Sequence, residues 1–143
     1  MSTAFSKIVS AIVATLLAQP RICNAIYRAR TLAVADQDDE AITVQFEHAL
    51  PSEATISGAP IDWSTRITVE CFARSVKESG DMAVDPLLER IFERLAADST
   101  LGGMVDDLVI AGIEAENTTE GKKTGWVRLT YLAVHRTSNL LIS

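Results

Sequence analysis

Little in this 143-residue chain offers ready-made chemistry. Two cysteines, Cys23 and Cys71, carry no pairing motif, which argues against a disulfide framework and for a reducing compartment. The two histidines, His48 and His135, have no cysteine or carboxylate at ligand spacing, so a zinc site lacks support. Thirteen Lys and Arg face nineteen Asp and Glu, a formal net charge of −6 that disfavours a surface built to grip phosphate backbones. No apolar run reaches the roughly 20 residues of a membrane-spanning helix. No nucleophile motif is present either, so neither an enzyme nor a cofactor is expected.

What remains is ordinary globular material, 48% apolar and 22% charged, enough for a single domain over residues 1–143 with an apolar tail at 138–143. Lys7 and the following IVSAIVATLLA superficially imitate a signal peptide. Phe5, Ile8, Val9, Ile12 and Leu16 nevertheless recur at helical spacing, and Leu16 spoils the small-residue cleavage pattern, so an amphipathic core helix is the better expectation. Ser2 or Thr3 can cap it, and Pro20 sets its end.

A short strand candidate covers Ala25 to Arg30, and the acidic run Ala35 to Glu40 reads as an exposed loop. Ala41 to Glu47 alternates cleanly as a strand. Leu50 to Asp62, punctuated by Pro51, Gly58 and Pro60 but still containing Ile56 and Ile61, suits an extended arm or a long hairpin tip. Two segments then echo each other, WSTRITVECFAR from Trp63 and WVRLTYLAVHR from Trp126. Both alternate in the manner of strands with one buried face, and both carry an arginine, aliphatic, threonine step. Between them lies a helix over AVDPLLERIFERLAAD, capped by Asp81 or Asp85 with Pro86 in its first turn, and a strand from Val105 to Glu116 in which Gly112 marks a bulge. The polar stretch Asn117 to Gly125 makes a long tip before the last strand. The order implies an α+β domain: an antiparallel or mixed sheet of four to five strands with two helices packed on one face.

Two site-like patterns fail on their own terms. EGKKTG around Lys122 lacks the first glycine and the hydroxyl residue of a phosphate loop, and a strand follows it rather than a helix. Asp36, Asp38, Glu40 and Glu47 fall at calcium-loop spacing, but Ala41 occupies the position that needs glycine. The candidate contact residues are therefore Pro51, Ile56, Pro60, Ile61, Trp63, Trp126 and the apolar Leu140, Leu141 and Ile142. For the tryptophans, packing within the subunit is favoured over an interface role. Arg66, Arg74, Arg128 and Arg136 form a basic stripe unless Glu47, Glu70, Glu114 or Glu116 pair with them across strands. The tail either covers the subunit's own core or packs on a neighbour.

In order and length of elements, from the N-terminal helix through IYRAR, AITVQFE, DWSTRITVECFAR, DPLLERIFERL and IEAENTTEGKKTGWVRLTYLAVHRT, the chain resembles the tail terminator proteins of long-tailed bacteriophages and prophages (tail completion, minor tail protein U-like). The resemblance covers most of residues 3 to 137. It implies a small α+β subunit that assembles with itself into a ring, a hexamer, at the head-proximal end of the virion tail after synthesis in the host cytoplasm. Its partners would be the tail tube protein and the head-tail connector, with DNA passing through and no membrane involved. The candidate contact residues above would then lie at subunit or partner interfaces. The acidic loop of Asp36, Asp38, Asp39 and Glu40 would face the lumen or an end of the ring, where negative charge lets DNA slide.

Overall fold

The computed structural model describes residues 3–23, 25–28, 39–52, 59–75, 80–118 and 123–138. The elements are α1 (Ala4–Leu17), β1 (Ile26–Arg28), β2 (Glu40–Pro51), β3 (Ile61–Ser75), α2 (Gly80–Ala97), β4 (Asp107–Thr118) and β5 (Lys123–Thr137). They form one five-stranded mixed sheet in the order β1-β2-β3-β5-β4, parallel only between β1 and β2, with both helices on one face. This is the α+β architecture expected from the sequence.

Helix α1 begins where Thr3, in an extended conformation, accepts a hydrogen bond from the Ser6 backbone N–H. Its predicted apolar stripe is the buried one: Ile8, Val9, Ile12 and Leu16 are all nearly inaccessible. Its C-terminus has no basic residue of its own in the last turn. Arg94 of α2 fills that role, donating to the carbonyl oxygens of Thr15, Ala18 and Pro20, so the second helix satisfies groups the first leaves orphaned. One turn earlier on α2, Arg90 donates to the Ile22 carbonyl and to Glu40 Oε2, both at 2.7 Å, tying helix to sheet.

Two expectations about α2 need correction. The helix starts at Gly80, so Asp81 and Asp85 lie inside it rather than capping it, and Pro86 stands in its second turn. A proline there removes one intrahelical hydrogen bond. The buried row Val84, Leu87, Ile91 and Leu95 runs through that position and holds the helix on the sheet regardless.

The hairpin strands also extend further than the punctuation suggested. Pro51 pairs with Trp63, and Ile61 and Asp62 pair with Thr137 and Arg136, so both ends of the Leu50–Asp62 stretch are strand, and its middle, residues 53–58, lies outside the described residues. Likewise Asn117 pairs with Gly125 and Thr118 with Thr124 across the β4–β5 hairpin. Backbone pairing continues into polar sequence because a ladder needs amide groups, not apolar side chains.

β3 and β5 are the spine, paired without interruption from Ile61 with Thr137 to Ser75 with Lys123. Each outer ladder is broken once: register shifts fall between Phe46 and His48 in β2 and between Ile110 and Gly112 in β4, the second where a bulge was expected. The two breaks are one residue apart in level and both adjoin the central Ile67–Tyr131 pair, from opposite sides. Each inserted residue flips the parity of its strand. Ile42 and Val44 are fully buried under the helices, yet His48 and Leu50, also even-numbered, are exposed on the opposite face.

Candidate assembly interface

The helices leave one face of the sheet open. Four arginines come to that face: Arg66 and Arg74 from β3, Arg128 and Arg136 from β5. Arg128 and Arg136 are neutralised by carboxylates across the strands. Arg128 donates from Nη2 and Nε to Glu70 Oε1 at 2.9 and 3.1 Å, and Arg136 meets Asp62 in a two-point contact at 2.7 and 3.2 Å. Asp62 is not one of the partners expected from the sequence. Hydrogen bonding to Arg136 holds its carboxyl below the ordinary aspartate value. Arg128 also lies 4.9 Å above the Trp126 ring and Arg74 4.8 Å above Phe72, so the Trp126 end of the face is a layer of cations on aromatic rings.

The other end has a different surface. Val109, Leu132 and Val134 adjoin one another there on β4 and β5, next to Arg66, and Leu50 of β2 lies across Ser64 of β3 from Val134. Leu50 is 62% exposed, Val109 45% and Val134 38%, values that put aliphatic side chains from three strands in water. Arg66 Nε and Thr68 Oγ1 are buried on this face without a hydrogen-bond partner. Arginine and aromatics at one end and aliphatics at the other are the residue types that concentrate in the centres of protein interfaces.

The two tryptophans prove not to be equivalent. Trp63 stands three residues before Arg66, whereas Trp126 stands two before Arg128, and with a side-chain period of 2 that single residue puts them on opposite faces. Trp63 is on the helix side, edge-on to Phe5 with ring centroids 5.2 Å apart, and its Nε1 donates to Thr137 Oγ1 at 2.8 Å. Beside it, Thr65 Oγ1 and His135 Nε2 are 2.6 Å apart and buried. Burial lowers the pKa of His135, with Asp106 opposing weakly. Trp126 is half-buried on the open face.

The candidate residues therefore fall into separate places. Pro51, Pro60, Ile61 and Trp63 gather at the β2–β3 hairpin end, with Pro51 and Pro60 exposed. Trp126 sits nine strand positions away, about 30 Å along the spine. Glu40 lies at the Trp126 end but is engaged by Arg90, and the Asp39 carbonyl accepts from the Arg74 backbone N–H. Ile56, Asp36, Asp38, Leu140, Leu141 and Ile142 lie outside the described residues. What the sequence did not yield is the exposure of Leu50 on the open face, because uninterrupted alternation puts it under the helices; the signal that finds it is the extra residue Glu47 opposite β3.

Among the described residues, no three His, Cys, Asp or Glu side chains gather as a metal site, and no helix is long and apolar enough to cross a membrane. No family model matches the chain, and no curated protein resembles it in sequence. Among solved structures it is similar to a chain of the virion of a native gene transfer agent particle, with a TM-score of 0.61 and 13% identity over 95% of this chain and 100% of that one. At that identity the likeness is one of fold: end to end, the two chains share the same arrangement of helices and sheet.

Proposed function

We propose that the chain is a structural tail terminator of a phage or prophage: a ring of six copies that caps the tail tube, stops its polymerisation and presents the surface to which the head connector joins. The observation that carries this is the fold shared along the whole chain with a component of a virion. The open sheet face supports it, since its arginines, aromatics and aliphatic residues suit protein contact. On this reading the protein acts without turnover or cofactor. A closed ring requires two unlike patches of one subunit to match. The open face is one such patch, and the β2–β3 hairpin end carrying Pro51, Pro60 and Ile61 is placed to be the other. The acidic stretch from Asp36 to Glu40 faces the lumen or an end of the ring, and DNA passes without being held.

Adding purified protein to polymerising tail tubes tests the proposal. A terminator shortens the tubes and appears as a cap in electron micrographs. Tubes of unchanged length, with the protein binding heads instead, would assign it to another position in the neck. Strictly monomeric light scattering at high concentration would remove the ring altogether.

A further inference from the structure

The two edges of the sheet are unlike. β4 is the long one: among the described residues it pairs only with β5, which leaves a row of backbone N–H and C=O groups pointing away from the sheet. Residues 107–118 contain no lysine and no proline, the usual guards of such an edge, and the bulge before Gly112 is the one break in the ladder. Beyond that bulge the strand also outruns its cover. Every residue from Ala111 to Ala115 is exposed, and Ile113, opposite buried Leu129 on the helix side, is 51% exposed. A long edge flanked by apolar side chains is a template for one more strand.

The opposite edge is short. β1 holds Ile26, Tyr27 and Arg28 against β2; past Val44 the outer side of β2 is interrupted at Glu47 and ends in Pro51. Paired residues followed across the sheet put Arg28 level with Ile113, through Val44, Val69 and Leu129. In the same way Tyr27 is level with Glu114 and Ile26 with Ala115. β1 therefore stands at the height of the exposed part of β4. It is parallel to β2, hence to β5, and runs opposite to β4. In a ring whose strands lie along its axis, rotation brings β1 of one copy beside β4 of the next without a shift along the strands, antiparallel and with the helices on one face.

Charge favours the same partner. β4 carries Asp107, Glu114 and Glu116 and no cation, so a second β4 would only add carboxylates to the ladder. β1 brings a cation and no acid. Arg28 is exposed on the helix side and donates to the hydroxyls of Ser10, at 2.8 Å, and Ser6, with no carboxylate beside it among the described residues. On that side of the β4 edge stands Asp85. It precedes Phe92 by about two helical turns on the same side of α2, and Phe92 to Ser99 lie over Asp107 to Ile110. Since α2 runs from the Ser75 end of β3 back to the start of β4, the exposed Asp85 lies toward Ile113.

We infer that β1 of a second copy of this chain adds to the free edge of β4 as an antiparallel strand, with Arg28 opposite Ile113 and its guanidinium turned toward Asp85. The inference rests on the ring reading above and adds to it a contact between unlike edges of one subunit, the head-to-tail relation from which rings are built.

Cross-linking reads the register. Arg28 and Ile113 are both exposed, and directly opposite residues of an antiparallel pair have Cα atoms about 5 Å apart. A mixture of Arg28→Cys and Ile113→Cys should therefore give a covalent dimer with a short bis-maleimide. Arg28→Cys mixed with Val109→Cys, further along the edge and on the other face, should give several-fold less. Cys23 and Cys71 are buried, and the unmodified chain serves as the blank. In light scattering, Arg28→Asp and Asp85→Arg should each weaken assembly about tenfold, and the chain carrying both should recover most of the loss. Full-length rings without the Arg28–Ile113 cross-link, or a double variant that assembles no better than the single ones, would overturn the inference and leave the ring standing. A dimer from Ile113→Cys alone would assign the edge to a second β4, and a cross-link from Ile113→Cys to tube protein would assign it to another partner; either overturns it. A full-length chain that stays monomeric would remove the ring and this contact together.

Discussion

The two faces of the sheet are built from the same strands, with opposite partners. Under the helices, Ile67, Val69, Leu129 and Ala133 are inaccessible, and even the polar members there, Thr65 and His135, bond to each other. On the open side, arginines lie over aromatic rings, Leu50 and Val109 stand in water, and the Arg66 Nε and Thr68 hydroxyl lack partners. The tryptophans condense the contrast: Trp63 is locked by Phe5 and Thr137, whereas Trp126 has a cation above it. Side chains on the covered face answer to packing within one subunit. Those on the open face leave apolar area for contacts outside it.

The comparison breaks most readily at the core. Leu129→Ala should destabilise the subunit by about 3–4 kcal/mol, because a fully buried leucine leaves a cavity, whereas Leu132→Ala on the open side should cost about 1 kcal/mol. Urea titration of the two variants measures the gap, and equal losses would mean the open face is itself packed within the subunit. Next come the tryptophans. Trp63→Ala should cost about 2–3 kcal/mol, and Trp126→Ala about 1 kcal/mol or less, while the second reduces assembly more than the first. Light scattering beside the urea curves reads both effects, and a Trp126 variant that assembles normally would take that end of the face out of the interface.

A pH titration probes the covered side. Because the folded pKa of His135 is depressed below 6.5, the unfolded chain binds the extra proton first. Stability from this group is complete above about pH 6.5 and declines as pH falls toward the folded value. His135→Gln should flatten that part of the stability profile, and an unchanged slope would put its origin elsewhere. The smallest effect belongs to the open side: removing Glu70 should cost about 0.5–1 kcal/mol, since the pair with Arg128 is partly solvated. A double-mutant cycle with Arg128→Ala gives the coupling, and a much larger value would mean the pair is shielded in the assembled state.

Much of the fold is legible in the sequence because periodicity records burial. The stripe of α1 and the burial of Ile42 and Val44 follow from which residues avoid water, and the bulge near Gly112 follows from a glycine inside a strand. What is not legible depends on counting across strands. One inserted residue at Glu47 moves His48 and Leu50 to the other face, and a one-residue difference in spacing separates two tryptophans that appear matched in the sequence. Helix α2 starts at Gly80, ahead of both aspartates that could have capped it.

The uninterrupted β3–β5 ladder has a mechanical consequence. Its fifteen residue pairs span about 50 Å, and a pull along the strand axis loads all of them in shear at once. A pull across the sheet instead peels the outer strands, where each ladder is already broken at mid-height. The subunit is therefore stiff along one direction and compliant across it, and a ring of such subunits would bear axial load best with its spines set parallel to the load.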